Sequence, residues 1–165
     1  MRTIYLAGGC FWGMQKFLDQ FEGVTFTQVG YANGPDAAPT YLQVCENSGH
    51  AETVRVDYDE GRLSLDRLLG LYFLVIDPLS LNKQGEDEGI QYRTGVYYTQ
   101  ADQLPALKAA FEAEERKVGA PLQVELLPLQ NFFPAEEYHQ KYLDKNPGGY
   151  CHIPASKLHL GEQGR

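Results

Sequence analysis

The segment Ile4-Tyr5-Leu6-Ala7-Gly8-Gly9-Cys10-Phe11-Trp12-Gly13-Met14-Gln15-Lys16-Phe17-Leu18-Asp19-Gln20-Phe21-Glu22-Gly23 changes its hydrophobic period midway. Ile4 to Ala7 is a short apolar run that predicts a buried strand. Gly8 and Gly9 allow a tight turn. From Phe11 the apolar residues Phe11, Met14, Phe17, Leu18 and Phe21 fall near helical spacing, and Gly23 closes the element. Val24 to Tyr31 predicts a second strand, whose apolar phase switches near Gln28 as at a bulge. Asn33 to Ser48 predicts a long loop, and Glu52 to Tyr58 alternates as a third strand. Ser64 can cap a helix in which Leu65, Leu68, Leu69, Tyr72, Phe73 and Ile76 repeat at i, i+3, i+4. Asp77-Pro78 ends it. A loop then runs to Gln91. Thr94 to Thr99 predicts a strand and Ala101 to Val118 a helix with Pro105 in its first turns. Val124 to Leu127 predicts a short strand and Pro134 to Leu143 a short helix. Residues 144–165, with Pro147, Gly148 and Gly149, predict an irregular and mobile tail. The order strand, helix, strand, strand, helix, strand is the split βαβ pattern. The expected fold class is α+β: a two-layer sandwich with a ferredoxin-like core (βαββαβ), extra helices and an irregular C-terminal tail.

Composition narrows the function classes. The 165 residues suggest one domain over 1–165, long enough for a real hydrophobic core. A formal net charge of -8 argues against nucleic acid or an anionic membrane as partner. No long apolar run follows Met1, which predicts neither a signal peptide nor a membrane span. Three cysteines without a CxxC pair argue against a disulfide framework and against a zinc site. The expected location is cytoplasmic. No metal or other cofactor is expected, since no GxGxxG or phosphate-cradling loop is present.

Four positions suggest chemistry. Cys10 sits where a strand passes through two glycines into a helix start, and unpaired N–H groups there favour thiolate over thiol. By position alone it fits two roles equally, a reactive thiolate or a small buried core residue. Phe11 and Trp12 cannot both face the core from the first helical turn. One of them can wall an apolar pocket for a small alkyl group beside Cys10, or both can pack beneath loops. Glu52 shares the apolar face of its strand with Val54, Val56 and Tyr58, against Thr53, Arg55 and Asp57 on the other. A carboxyl there is desolvated, its pKa rises, and it becomes a general-acid candidate, unless the strand end lets it reach water. Cys151, in Asn146-Pro147-Gly148-Gly149-Tyr150-Cys151, can reach a nucleophilic cysteine from a mobile tail or stand as an unpaired surface thiol. Cys45 fits a structural role. Tyr41 and Tyr92 can donate hydrogen bonds, and Asp87 lies in a glycine-bounded acidic loop. A thiol peroxidase would need a basic group beside Cys10, and the motif has none. His50 and His139 show no spacing that suggests a cysteine hydrolase.

Taken together, these residues resemble the methionine sulfoxide reductase A family. The resemblance rests on Gly9-Cys10-Phe11-Trp12-Gly13, Val29-Gly30-Tyr31-Ala32, Pro39-Thr40-Tyr41 and Gly49-His50-Ala51-Glu52. It continues through Asp77-Pro78, Asn82-Lys83-Gln84-Gly85 and Asp87-Glu88-Gly89-Ile90-Gln91-Tyr92-Arg93. It ends at Tyr138-His139-Gln140 and Lys145-Asn146-Pro147-Gly148-Gly149-Tyr150-Cys151. The resemblance implies reduction of the S epimer of methionine sulfoxide, free or in proteins. It implies Cys10 as nucleophile, Phe11 and Trp12 around the substrate methyl, Glu52 as the acid, and Tyr41 and Tyr92 as hydrogen-bond donors. It implies Asp87 as a substrate contact, Cys151 as the resolving cysteine, and thioredoxin or a similar dithiol as reductant. A monomer is expected, though the sequence itself does not reveal the oligomeric state. The chain departs from the usual pattern at Gln15, Asn33, Ile76 and Glu86, where glutamate, glycine, histidine and asparagine are common. No cysteine follows Cys151, so a second disulfide step is not expected.

Overall fold

The structure, a computed structural model, describes residues 1–35, 37–46, 48–151 and 153–158. Strand β1 (Arg2–Ala7) turns at Gly8 and Gly9 into helix α1 (Phe11–Asp19), followed by β2 (Val24–Ala32). Helix α2 (Tyr41–Cys45) and strand β3 (Ala51–Tyr58) come next, then helix α3 (Leu65–Val75). A small hairpin of β4 (Lys83–Gln84) and β5 (Asp87–Glu88) leads through a 3-10 turn at Ile90–Tyr92 to β6 (Gly95–Tyr98). Helix α4 (Leu104–Val118), strands β7 (Glu125–Pro128) and β8 (Phe132–Pro134), and the short helices α5 (Tyr142–Lys145) and α6 (Ala155–Leu158) complete the chain.

The fold is α+β around a mixed six-stranded sheet in the order β7-β6-β1-β3-β2-β8. Among the described residues only the β6–β7 pair is parallel. The sheet's main core face carries Ile4, Leu6, Val29, Val54, Val56, Tyr58 and Val96. Helix α1 covers it with Phe11, Met14, Phe17 and Leu18, and α3 with Leu68, Leu69 and Tyr72. Helix α4 packs on α3. Ser64 caps α3 by accepting from Arg67 N, as its sequence position predicts. A smaller cluster of Ala7, Ala32, Ala51 and Tyr97 lies apart from this core.

Several elements differ from the sequence expectation, each for a local reason. The β2 bulge falls at Thr25, between Val24 opposite Tyr58 and Phe26 opposite Asp57, not near Gln28. The hydrophobic phase misleads because Phe26 turns outward under the Arg55 guanidinium while Thr27 is buried. The loop 33–48 contains α2, started by a capping box in which Thr40 and Gln43 bond each other's backbone N–H. The loop before Gln91 contains the β4–β5 hairpin, turned at Gly85 with φ +60°. Gln84 anchors that hairpin by bonding both the N–H and the carbonyl of Asp77. The helix expected over Pro134–Leu143 does not form. Pro134 ends an edge strand paired to Gly30, and Lys141 at φ +56° breaks the chain before α5. The stretch after 144 is more ordered than its composition suggests. Ile153 is buried in the main core, Gln20 Nε2 donates to Lys157 O, and Lys157 Nζ donates to Leu74 O. Of that tail, 152 and 159–165 lie outside the described residues.

Two departures from the family pattern have a backbone explanation. Asn33 occupies the left-handed region at φ +51°, which asparagine tolerates better than most side chains. Its amide donates to Pro128 O and accepts from Gln130 N, tying β2 to the turn before β8. Buried Gln15 donates to Thr27 Oγ1 and accepts from Lys141 N, so it holds the break at Lys141 in place.

Gly30 has no room for a side chain. An added Cβ would lie 2.5 Å from Phe132 Cζ and 2.6 Å from Phe133 O. Gly30→Ala should therefore push β8 off the sheet edge and destabilise the protein by roughly 1–3 kcal/mol, read by urea unfolding. An unchanged midpoint would contradict this packing.

Candidate active site

Cys10 occupies the N-cap position of α1 and is 7% exposed. The turn that places it is fixed from two sides. Gly9 N donates to Tyr92 O at 3.3 Å, and Gly8 packs so closely on Ile76 and Met14 that an added Cβ would lie 2.7 Å from each. Ile76, another departure from the family pattern, is thus a packing residue under the turn. The helix start does act on the thiol, since the Trp12 backbone N–H favours its ionised form. Burial is the larger effect, and the Glu52 charge adds to it, so the Cys10 pKa is pushed well up. The helix start thus favours a thiolate, as the sequence suggests, but burial outweighs it. Burial therefore favours the thiol over the thiolate at Cys10.

Glu52 lies on the inward face of β3, opposite Tyr31 across the β2–β3 ladder, and is 1% exposed. The alternative of escape to water at the strand end is excluded. Burial pushes its carboxyl pKa up to about 8, with the Phe11 N–H working weakly against this and Asp87 adding to it. Phe11 N donates to Glu52 Oε1 at 3.2 Å. Oε2 is buried and has no hydrogen-bond partner among the described residues. A protonated carboxyl whose Oε1 already accepts a bond holds its proton on Oε2.

The other predicted residues converge here, with one difference of context. Tyr41 opens α2, and Tyr92 ends the 3-10 turn, so neither is a bare loop residue. Burial raises both hydroxyl pKa values, and the Glu52 charge is the next largest cause for each, which sets both beside the carboxyl. Of the paired aromatics, Phe11 is buried against Tyr31 and His139, with ring centroids at 5.7 and 5.2 Å. Trp12 is partly exposed, stacks on Tyr142 at 3.8 Å, and donates from Nε1 to His139 Nδ1 at 2.9 Å. Asp87 accepts from the Tyr150 hydroxyl at 3.0 Å. Asp87 and Cys151 both add to the upward push on Cys10, so both belong to its surroundings. Glu86 is exposed at the hairpin turn. Cys151 is half-buried, and its Sγ lies 3.5 Å from Ile153 O. All three cysteines are free. Cys45 is exposed on α2, four residues after Tyr41.

Sequence inspection missed two residues. His139 is fully buried, and burial lowers its pKa, so the ring is neutral near pH 7. Because Trp12 can only donate, the His139 proton sits on Nε2, which has no partner among the described residues. Glu136 accepts from the Tyr31 hydroxyl and from Tyr41 N. Both residues reach the site from more than ninety positions away in the chain. The available signal was the Tyr138-His139-Gln140 motif, whose histidine was weighed only against Cys10.

The sequence model of the family described as Peptide methionine sulfoxide reductase matches residues 2–162. Among curated relatives, "Peptide methionine sulfoxide reductase MsrA" of Lachnoclostridium phytofermentans is 55% identical over 153 residues, 92% of each chain. Among solved structures, Mxr1 from Saccharomyces cerevisiae in reduced form superposes with a TM-score of 0.87 at 35% identity, covering 93% of this chain and 91% of that one. Methionine sulfoxide reductase A of Corynebacterium diphtheriae gives 0.83 at 33% identity, covering 93% and 82%. With a family match over nearly its whole length, this chain belongs to the peptide methionine sulfoxide reductase family.

Proposed function

We propose that this protein reduces the S epimer of methionine sulfoxide, free and in proteins, to methionine, with Cys10 as nucleophile and Glu52 as acid. The observation that carries this is Glu52 Oε2: buried and without a hydrogen-bond partner among the described residues, on a carboxyl whose pKa burial raises to about 8, near a buried cysteine. A sulfoxide sulfur is electrophilic, but its oxygen leaves only when protonated. Glu52 is the proton source, and the Tyr41 and Tyr92 hydroxyls share the negative charge that develops on the oxygen. Phe11 and Trp12 wall the methyl pocket, and Asp87 contacts the substrate.

The proton count closes within the site. Cys10 gives up its proton as sulfur attacks sulfur, and Glu52 gives its own to the oxygen. The S–O bond breaks and its hydroxyl adds to the Cys10 sulfur, while the S–S bond formed by the attack breaks with its electron pair going to the methionine sulfur. Cys10 is oxidised by two electrons to sulfenic acid, and the sulfoxide is reduced by two to methionine, which leaves. The proton released by Cys10 restores Glu52. The two groups also control each other. An ionised Glu52 opposes ionisation of Cys10, so the neutral carboxyl is the state that lets the thiolate form. The sulfenic acid then condenses with the Cys151 thiol, releasing water, and an external dithiol of the thioredoxin kind reduces the disulfide.

The wider assignment follows the same lines. The inner strand order β6-β1-β3-β2 supports the ferredoxin-like split βαβ description, and the shared core supports one domain over 1–165. We assign the protein as a cytoplasmic monomer that needs no metal or cofactor. Support for the location is its three free thiols, which a reducing compartment preserves.

In single-turnover assays with the separated epimers, only the S form should react, and Cys10→Ser should abolish reaction. The rate should fall as pH rises through about 8, where Glu52 loses its proton. Glu52→Gln should slow the step on the order of 10²- to 10⁴-fold, and Glu52→Asp, which keeps an acid, should slow it less. Equal rates for those two variants would remove Glu52 as the acid. Cys151→Ser should release about one equivalent of methionine per enzyme and then stop under thioredoxin, because the sulfenic acid has no resolving thiol. Full turnover in that variant would assign resolution to Cys45 or to direct reduction.

A further inference from the structure

We infer that Glu136 is a positioning residue that fixes Tyr41, and so sets how well the Tyr41 hydroxyl meets the substrate oxygen. The inference rests on the assignment of Tyr41 as a hydrogen-bond donor. Glu136 bridges two elements. Its Oε1 accepts from the Tyr31 hydroxyl at 2.8 Å, and its Oε2 accepts from Tyr41 N at 3.0 Å. Tyr31 lies opposite Glu52 in the β2–β3 register. One carboxylate therefore ties the residue paired with the proposed acid to the first residue of the helix that bears the proposed donor.

The two sides of this bridge differ in stiffness. Helix α2 has five residues, too few to hold itself by helical propensity. It ends a long loop, its capping box is local, and Val44 is its only buried side chain. The segment that bears Glu136 is anchored on both flanks. Ala135 N donates to Val29 O at 2.9 Å. Gln140 accepts from Val29 N and donates to Val29 O, and Lys141 N donates to Gln15 Oε1. Fully buried His139 sits between these anchors with its ring 4.3 Å from that of Tyr41. The strap is fixed to the sheet, and α2 is fixed to the strap.

Charge favours the same arrangement. A carboxylate at the N-terminal N–H of a helix meets its positive end. Burial pushes the Glu136 pKa up, but its own backbone N–H, then the Tyr41 N–H and the Tyr31 hydroxyl, outweigh this and leave it lowered. Replacing Glu136 by glutamine would remove the charge and turn one acceptor into a donor that faces another donor. Tyr41 would keep its hydroxyl but lose its fixed direction.

The test is a double-mutant cycle on the single-turnover rate, using Tyr41→Phe, Glu136→Gln and the pair, with Glu136→Ala as a second variant and thermal unfolding to check folding. Glu136→Gln should lower the rate about tenfold, the cost of about 1.4 kcal/mol of transition-state contact, with KM within about twofold. Adding it to Tyr41→Phe should cost nothing further, because the hydroxyl it positions is already gone. Multiplicative losses in the pair would overturn the inference, as would full activity in folded Glu136→Gln and Glu136→Ala proteins. Should Tyr41→Phe alone retain full rate, the donor assignment and this inference both fall. Should Tyr41→Phe be slow and both Glu136 variants fast, only this inference falls.

Discussion

A carboxyl group buried without a charged partner is costly unless it stays neutral, and Glu52 is such a group. Its position follows from β3, whose alternation turns Glu52 to the same inward face as Val54, Val56 and Tyr58. Its depth follows from α1, whose first residue covers it and supplies the Phe11 N–H. Neutrality then follows from burial, and availability follows from the free Oε2. The cysteine beside it shares the same dry setting and is protonated for the same reason. In the proposed reaction the site holds two protons at rest and redistributes them when a sulfoxide arrives. This differs from activation by a helix start alone. Here burial outweighs the N–H groups, and the substrate's own oxygen completes the electrostatics.

The surroundings of the pair are built from distant parts of the chain. Segment 132–141 contributes Glu136 and His139, and the hairpin β4–β5 contributes Asp87. Each is anchored by a side-chain amide bonded to backbone. Gln140 clasps Val29, and Gln84 clasps Asp77. Paired amides of this kind satisfy two backbone groups at once and replace the ladder bonds that an irregular segment lacks. They explain how loops that look solvent-exposed in sequence hold functional side chains in place.

The strand-to-helix turn at Gly8 and Gly9, the alternation of Glu52 to Tyr58 and the Ser64-capped helix were legible because one local pattern settles each. So was the α+β class. The errors arose where tertiary contacts override local pattern. Pro134 to Leu143 has helical composition, but the sheet edge takes Pro134 and Gln15 holds Lys141 in a left-handed conformation. The apolar phase of β2 pointed to a bulge near Gln28, yet Phe26 lies outward beneath Arg55 and the bulge falls at Thr25. Glycines and a proline made the tail look mobile, although buried Ile153 and the Gln20 contact anchor it. Glu136 was invisible because neither of its partners, Tyr31 or Tyr41, is near it in sequence. The protonation state of Cys10 stayed open in the sequence, because helix position can be read along the chain and burial cannot.

The neutrality of Glu52 at rest can be observed directly. Infrared difference spectra of the reduced enzyme, wild type minus Glu52→Gln, isolate the carboxyl stretch of this one residue. At pH 7 the wild type should show the C=O band of a protonated, weakly hydrogen-bonded carboxylic acid, and the band should give way to carboxylate as pH passes about 8. A carboxylate signature already complete at pH 7 would contradict the account.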